Sequence, residues 1–358
     1  MTQRTVFSED EVLADADFAQ RTTRGGRLFH GGTDSSGAYV PPRSRHRLAA
    51  IDAWQSQLAD AGHARSVLSL DDLPEGFFPN VDQAKLLLRN GARGAMTRIL
   101  TLIGVVEGFG NDGIKLLPAM DLQACVASDI TETCLGHLHK GLLTAHGRDE
   151  AGHETECGHD EMWFAVRDAA LDDPKITLDM FEDLPIAPPP GYTGPAKPSA
   201  DAMSIGQVLE PLVPGLDPLF EVHIRAMTQI LLIELVAYRT FAWASEVLGD
   251  ATCSVDPTFA AGLVDRIRTD EDIHVAYLQT ALAEITSMTL LTTDGRRVPG
   301  ADAVRAACAS GLANQTGARA QRLLMHRLRQ VEADLANHPE GDRLLEEFRA
   351  LGPLPSVA

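Results

Sequence analysis

The sequence predicts an all-α fold, and three observations support this prediction. Apolar residues recur at three- and four-residue spacing over most of the chain beyond residue 45. Helix ends are marked, because Asp256-Pro257 is typical of a helix start and Gly249 of a helix end. Strand signals are scarce: SMTLLTTDGRRV is the one hairpin candidate, with Asp294-Gly295 as its turn.

The N-terminal part of the chain differs from the rest. Residues 1–45 contain GGTDSSGAYVPPRSR, whose glycine, serine and proline residues show no sustained periodicity, so we predict an irregular extension. From Arg47 the segment LAAIDAWQSQLADAG places Leu48, Ile51, Trp54 and Leu58 on one helix face. Residues 46–352 are therefore predicted to form one all-α domain.

Three helical segments are predicted next. VDQAKLLLRNGARGAMTRILTLIGVVEGFG is long and largely apolar, which indicates a buried helix. MDLQACVASDITETCLGHLHKGLLTAH is predicted to be another, and residues 160–171 a third. The apolar stripe of the second comprises Leu122, Val126, Ile130, Cys134, Leu138 and Leu142.

A break separates these segments from the C-terminal helices. DLPIAPPPGYTGPAKPS concentrates proline and glycine, which predicts a long loop at about residues 183–200 inside the domain. The helices expected after it are PLFEVHIRAMTQILLIELVAYRTFAWASEVLGD, DPTFAAGLVDRIRTDEDIHVAYLQTALAEI, ADAVRAACASGLANQTGARAQRLLMHRLRQVEADL and EGDRLLEEFRAL.

Charge and composition limit the partners of the chain. Its 358 residues include 31 basic and 50 acidic ones, so the net charge of −19 repels nucleic acid and anionic membranes. The sequence contains neither a signal peptide nor an apolar run of membrane-spanning length, so we expect a cytoplasmic protein. The five cysteines are scattered and never form a CxxC pair, which is typical of reduced core thiols.

Glu234 is the first candidate metal ligand. It lies within QILLIELVAYRTFAW, where helical faces of aliphatic and aromatic residues flank it on both sides. Carboxylates are rarely buried unless they are paired or bind a metal. A core glutamate that pairs with Arg239 is the alternative.

The next helix offers a second set of candidates. In RTDEDIHVAYL, Glu271 and His274 are three residues apart and so lie on one helix face, the arrangement of helical di-iron sites. A solvated acidic face is the alternative for this motif alone. Asp270 competes with Glu271, since Asp-x-x-x-His also places both groups on one face.

The segment richest in candidate metal ligands is HGRDEAGHETECGHDEMWFAVRDAAL. Its carboxylates and imidazoles are Glu150, His153, Glu156 and His159, and a solvated His-rich loop is the alternative to a ligand cluster. Glu150 with His153, and Glu156 with His159, each repeat Glu-x-x-His. Glu150 with His159 falls on opposite faces of an ideal helix, so that pair needs a broken helix, which Gly152 and Gly158 permit.

These motifs resemble those of the haem-oxygenase-like di-iron oxidases. The resemblance rests on Asp149-Glu150-x-Gly152, His159-x-x-Met162-Trp163 and the acidic and histidine residues of the two later helices, and covers about residues 85–290. It implies a haem-oxygenase-like helical bundle. The first histidine of the family's third motif falls on Ile267, which cannot ligate, so either Asp270 substitutes for it or one iron is held by fewer protein ligands. The implied ligands are Glu150, His159, Glu234, Glu271 in place of an aspartate, and His274.

A ferritin-like four-helix bundle is the alternative resemblance. Its ligands would be Glu107, Glu150 with His153, Glu234, and Glu271 with His274. We rank it second because Glu107 lies close to Gly108 and Gly110, which suggest a helix end, whereas the ferritin-like glutamate lies mid-helix.

Both resemblances imply the same chemistry. Carboxylate and imidazole ligands suit ferrous iron, so we expect two Fe(II) ions, with dioxygen as co-substrate, in an oxidase or oxygenase that acts on an amino acid, amine or fatty acid. Arg225 or Arg239 is expected to hold a substrate carboxylate, with simple ion pairs as the alternative. An external electron donor and a homodimer are compatible with this expectation. The alternatives are a ferritin-like iron-binding protein and a metal-free helical scaffold, and the choice between iron and manganese stays open.

Overall fold

The computed structural model describes residues 4–176 and 211–355, and it confirms the all-α fold class. The predicted loop at 183–200 lies outside the described residues. The helices are α1 Glu9–Val12, α2 Arg47–Asp60, α3 Val81–Arg89, α4 Gly94–Lys115, α5 Leu143–Ala151, α6 His159–Ala170, α7 Pro218–Leu248, α8 Pro257–Ser287, α9 Gly300–Thr316, α10 Ala318–Ala336 and α11 Gly341–Ala350. The strands are short: β1 Thr23–Arg24, β2 Arg27–Phe29, β3 Gly32–Thr33, β4 Tyr39–Val40, β5 Glu156–Cys157, β6 Thr289–Leu291 and β7 Arg297–Pro299.

The predicted helix ends and the hairpin are confirmed. The Asp256 side chain accepts a hydrogen bond from the backbone of Phe259 at the start of α8, and Gly249 caps α7. Strands β6 and β7 pair in antiparallel fashion around Gly295, whose φ is +83°. In α2, three of the four predicted face residues are buried, but Leu48 is exposed.

Two predicted helices are each divided by a glycine. The first apolar segment forms α3 and α4, because the chain turns at Gly91 with φ +79°, a left-handed conformation that ends a helix. The long C-terminal segment forms α9 and α10, which meet at Gly317 in an extended conformation. The apolar periodicity continues across both breaks and therefore did not reveal them.

The prediction of one helix over residues 120–146 is wrong. This segment contains short 3₁₀ turns at Leu122–Cys125 and Leu135–His137 and a distorted turn at Leu138–Leu142, and only its end belongs to α5. Side chains compete with helical hydrogen bonding here, since Asp121 and Asp129 accept bonds from nearby backbone N–H groups. The predicted apolar stripe is nevertheless buried along its whole length.

The N-terminal extension packs against the domain. We call residues 4–45 the N-terminal arm. Strand β2 pairs in parallel with β5, and the Phe29 side chain is 1% exposed in the core beside α6 and α8. The arm thus reaches the segment that joins α5 to α6.

The helices α4 to α8 surround the centre of the domain. Helix α4 packs on α5 and α6, α6 packs on α8, and α8 packs on α7, so carboxylates and imidazoles from successive helices can meet between them. Helices α10 and α11 form a separate apolar cluster with α3 and the start of α4. In the described ranges, no helix is long and apolar enough to cross a membrane.

A buried carboxyl near the end of α8 makes stability depend on pH. Glu284 accepts hydrogen bonds from the backbone N–H groups of Cys134 and Leu135, and burial raises its pKa from 4.5 to about 7. Because the folded pKa is raised, the stabilisation is complete below about pH 4.5 and is lost as pH rises through 7.

We expect Glu284→Gln to remove this dependence, since glutamine is neutral at every pH. Between pH 5 and pH 8, the free energy of unfolding of the natural protein should fall by about 2–3 kcal/mol relative to that of the variant. Urea denaturation at a series of pH values measures the difference. Parallel profiles for the two proteins would contradict the prediction.

Candidate metal centre

Three histidines and three glutamates meet between four helices. All six side chains are buried, each at most 4% exposed. Helix α5 supplies two of them, α6 one, α7 one and α8 two. They are His146, Glu150, His159, Glu234, Glu271 and His274, and we call them the central cluster.

Glu150 lies at the middle of this cluster. Its Oε1 atom is 3.4 Å from His146 Nε2, 3.3 Å from His159 Nδ1 and 3.3 Å from His274 Nδ1. One carboxylate oxygen therefore faces a nitrogen of every central histidine. This is the placement of a carboxylate that two metal ions could share.

The other two glutamates lie on either side of Glu150. Glu234 Oε1 is 3.1 Å from His146 Nε2, whereas Glu271 Oε1 is 2.9 Å from His159 Nδ1. Two overlapping groups result, in each of which all ligand atoms lie within 4.8 Å of one another. Position A comprises His146, Glu150, Glu234 and His274, and position B comprises Glu150, His159, Glu271 and His274.

Four atoms of the cluster lack a hydrogen-bond partner although they are buried. They are His146 Nε2, Glu150 Oε1, His159 Nδ1 and Glu271 Oε1, and all four point to the centre of the cluster. Buried polar atoms that stay unsatisfied destabilise a fold. A metal ion would satisfy them, so the residues present fit such a group.

Each central histidine is held by a partner on its other nitrogen. His146 Nδ1 lies 2.8 Å from the Tyr277 hydroxyl, and His159 Nε2 lies 3.3 Å from Asp270 Oδ2. His274 Nε2 lies 3.0 Å from Asp149 Oδ2. Such contacts fix the orientation and tautomer of metal-binding histidines and direct the other nitrogen inward, where that of His274 lies 2.5 Å from Glu271 Oε2.

The acidic surroundings shift the pKa values of the cluster. Burial alone would lower the pKa of His159, but the negative charges of Glu271 and Glu150 outweigh it and raise that pKa well above 6.5. Burial, followed by the charge of Glu271, raises the pKa of Glu234 to about 7. Without metal the cluster therefore holds protons, which bound cations would displace.

The segment between Glu150 and His159 has the predicted break. Helix α5 ends at Ala151, Gly152 adopts φ +77°, and α6 begins at His159. A Cβ atom on Gly152 would collide with the carbonyl oxygen of Glu156, so the close return of the chain requires glycine here. The break turns His159 back towards Glu150.

The structure brings together most of the predicted ligands. The ligand set implied by the family resemblance lies entirely within the central cluster. Asp270 lies one contact further out, against His159, and Ile267 is buried in the apolar core.

His153 does not join the cluster. It follows the turn at Gly152, its side chain is 40% exposed, and its nearest acidic partner is Glu154 at 3.8 Å. Arg225 pairs with Glu221, and Arg239 donates to the carbonyl oxygens of Leu70 and Leu73. Neither arginine contacts the cluster through these bonds.

Glu107 lies in the interior of α4, so its supposed position near a helix end was wrong. Its buried carboxylate accepts a hydrogen bond from Trp163 Nε1 at 3.1 Å, and burial followed by the charge of Glu150 raises its pKa well above 4.5. Helices α4 and α5 approach closely here, since a Cβ on Gly110 would lie 2.8 Å from Glu150 Cγ.

Sequence reasoning missed several residues of the site. His146 could have been found, because His-x-x-x-Glu places it one turn before Glu150 on the same face. Asp149 is held by Arg43 and Arg47, and Asp270 by His30 and Tyr39, and these four partners come from the arm and the start of α2. No local spacing links them to the cluster.

A groove about 410 Å³ in volume lies beside α4 and α5. It contains Lys115 and Arg148, and none of the described residues that line it is acidic. Asn111 and Gly147 lie in its wall and are close to each other, since a Cβ atom on Gly147 would lie 2.6 Å from Asn111 Oδ1.

Comparison of the chain with protein-family models, with curated proteins and with solved structures gives no match.

Proposed function

We propose that the protein binds two ferrous ions, at positions A and B with His274 ligating only one of them, and uses them to activate dioxygen for the oxidation of a small organic substrate. The observation that carries this proposal is the position of Glu150, whose one oxygen faces all three central histidines. Mixed carboxylate and imidazole ligands suit ferrous iron, which supplies electrons to dioxygen. Manganese fits the same ligands and is an outcome of the test below.

The number of buried negative charges supports the binding of two divalent ions. Glu150, Glu234, Glu271 and Asp270 carry four negative charges when ionised, and all four are buried. Asp149 does not add to this total, because Arg43 and Arg47 neutralise it. Buried charge is costly unless it is compensated, and two divalent ions would compensate these four carboxylates.

The chain's own residues would then have distinct tasks. Glu150 spans the two positions, while Glu234 and Glu271 each complete one. Tyr277, Asp270 and Asp149 orient the three histidines, and the surrounding apolar helices keep bulk water out.

Anaerobic titration with Fe(II) tests the proposal. We expect about two ions per chain, as a paired-carboxylate site requires, and a transient visible absorption after dioxygen is admitted. Two bound ions with slow oxidation and no transient would favour the iron-binding alternative. Absence of stoichiometric binding of Fe(II) and Mn(II) would refute the proposal and favour the metal-free scaffold.

The groove beside α4 and α5 suggests the substrate class. A basic, acid-free groove is unusual in a chain with net charge −19, and apolar residues such as Ile114 and Leu143 line it as well. Among the described residues, Lys115 and Arg148 have no ion-pair partner. We therefore propose a small organic acid with an apolar body, held by these cations instead of by Arg225 or Arg239.

We expect the double variant Lys115→Met, Arg148→Met to raise the Kd for octanoate by about tenfold or more, because charge-assisted hydrogen bonds are lost. Calorimetry with the metal-free protein measures the change. Arg65→Met, at an exposed position outside the groove, is the matched control and should leave the Kd unchanged. Equal binding of octylamine and octanoate would contradict the assignment.

A further inference from the structure

The N-terminal arm enters the metal centre at Asp270. His30 Nε2 lies 3.0 Å from Asp270 Oδ2, and the Tyr39 hydroxyl donates to the same oxygen at 2.9 Å. His159 Nε2 is the third neighbour of this oxygen, at 3.3 Å. The arm therefore contributes two of the three groups that surround a fully buried carboxylate.

The backbone of the arm fixes these two side chains. The pairing of β2 with β5 places His30 beside the start of α6, where the backbone N–H of His30 donates to the carbonyl oxygen of Cys157. Its ring contacts that of His159 edge-on, with the centroids 5.0 Å apart. The hairpin of β3 and β4 then returns the chain so that Tyr39 reaches Asp270.

We propose that the arm sets the metal affinity of position B selectively, with His30 and Tyr39 as positioning residues that act through Asp270 on His159. This inference rests on the proposed binding of two ions but not on their reaction with dioxygen. His159 belongs to position B and not to position A. The corresponding partner in position A is Tyr277, which holds His146 and belongs to α8.

A third metal ion is the competing explanation, since His30, His159 and Asp270 also offer ligand atoms within 4.8 Å of one another. The charges argue against it. Asp270 is already one of the four carboxylates that two divalent ions compensate, so a third ion would add two buried positive charges that these four carboxylates do not compensate. Hydrogen bonds from His30 and Tyr39 to Asp270 add no charge to the buried cluster.

Titration of the full-length protein with Co²⁺, followed by calorimetry and visible absorption, tests the inference without dioxygen chemistry. We expect Tyr39→Phe and His30→Gln each to weaken the binding of one of the two ions about 10–100-fold, as is usual for partners of ligating histidines. The other ion should be unaffected. Tyr277→Phe is the matched control and should weaken the second ion instead.

Combined variants identify which ion is affected. His159→Ala removes a ligand of position B, so adding Tyr39→Phe to this variant should not weaken metal binding further. Glu234→Ala removes a ligand of position A, so the double variant with Tyr39→Phe should bind both ions more weakly than the natural protein. Thermal denaturation of the metal-free variants monitors folding, and the nearly isosteric Tyr39→Phe should stay close to the natural protein.

Three outcomes would overturn the inference. Equal weakening of both ions would indicate a general structural role, and no weakening would exclude the coupling through Asp270. Three bound Co²⁺ ions would favour direct coordination by His30. If the natural protein bound no ion, the proposed function would fail with it, whereas two ions that do not react with dioxygen would leave the role of the arm intact.

Discussion

Glu150→Gln is expected to abolish the paired metal site. Glutamine keeps the size of the side chain but offers one neutral oxygen in place of a carboxylate that faces three histidines. Because positions A and B both include Glu150, we expect less than one tightly bound Fe(II) per chain and no visible transient with dioxygen. Glu234→Gln, which affects position A alone, should retain one ion.

Glu107→Gln is the matched control for this prediction. Glu107 is also a buried glutamate near the cluster, but its carboxylate accepts a bond from Trp163 and belongs to neither position. We expect this variant to keep two ions. Loss of an ion from it would instead support the ferritin-like ligand selection, in which Glu107 coordinates directly. Two ions in Glu150→Gln would contradict the shared role of Glu150.

The part of the site that the sequence predicts well consists of residues on regular helices. Helical periodicity places Glu271 and His274 on one face of α8, and the apolar segment around Glu234 in α7 favours its burial. The break between Glu150 and His159 was also predictable, because glycines flank it and an unbroken helix could not bring the two side chains together. His146 fits the same reasoning and was overlooked.

The rest of the site depends on contacts between distant segments. His30 and Tyr39 lie more than 230 residues from Asp270, and no periodicity relates a short arm strand to α8. The segment before α5 shows a further limit, since its apolar residues are buried as expected while Asp121 and Asp129 accept hydrogen bonds from backbone N–H groups that would otherwise be available to a helix. Burial follows from hydrophobicity, but backbone conformation also depends on local hydrogen bonds.

Asp149→Asn is expected to cause a large loss of stability. Asp149 is fully buried and accepts hydrogen bonds from Arg43 and Arg47, whose side chains are 4% and 0% exposed. The variant removes the buried counter-ion of both guanidinium groups and leaves Arg43 with Glu156 at 3.9 Å only. Removal of one partner from a buried ion pair costs about 3–5 kcal/mol, and urea denaturation of the metal-free protein measures this loss apart from any effect on metal binding.

Two further variants separate the cost of unpaired charge from the loss of a contact. Asp256→Asn affects a carboxylate paired with Arg24 at the surface, where both side chains are more than a third exposed, and should cost less than about 1 kcal/mol. Replacing all three buried groups, by Asp149→Leu with Arg43→Met and Arg47→Met, should recover part of the stability lost in Asp149→Asn, since no charge is then left unpaired. If Asp149→Asn cost no more than Asp256→Asn, the buried triad would not be a main source of stability. The attachment of the arm to α5 would then depend on its apolar contacts and its strand pairing.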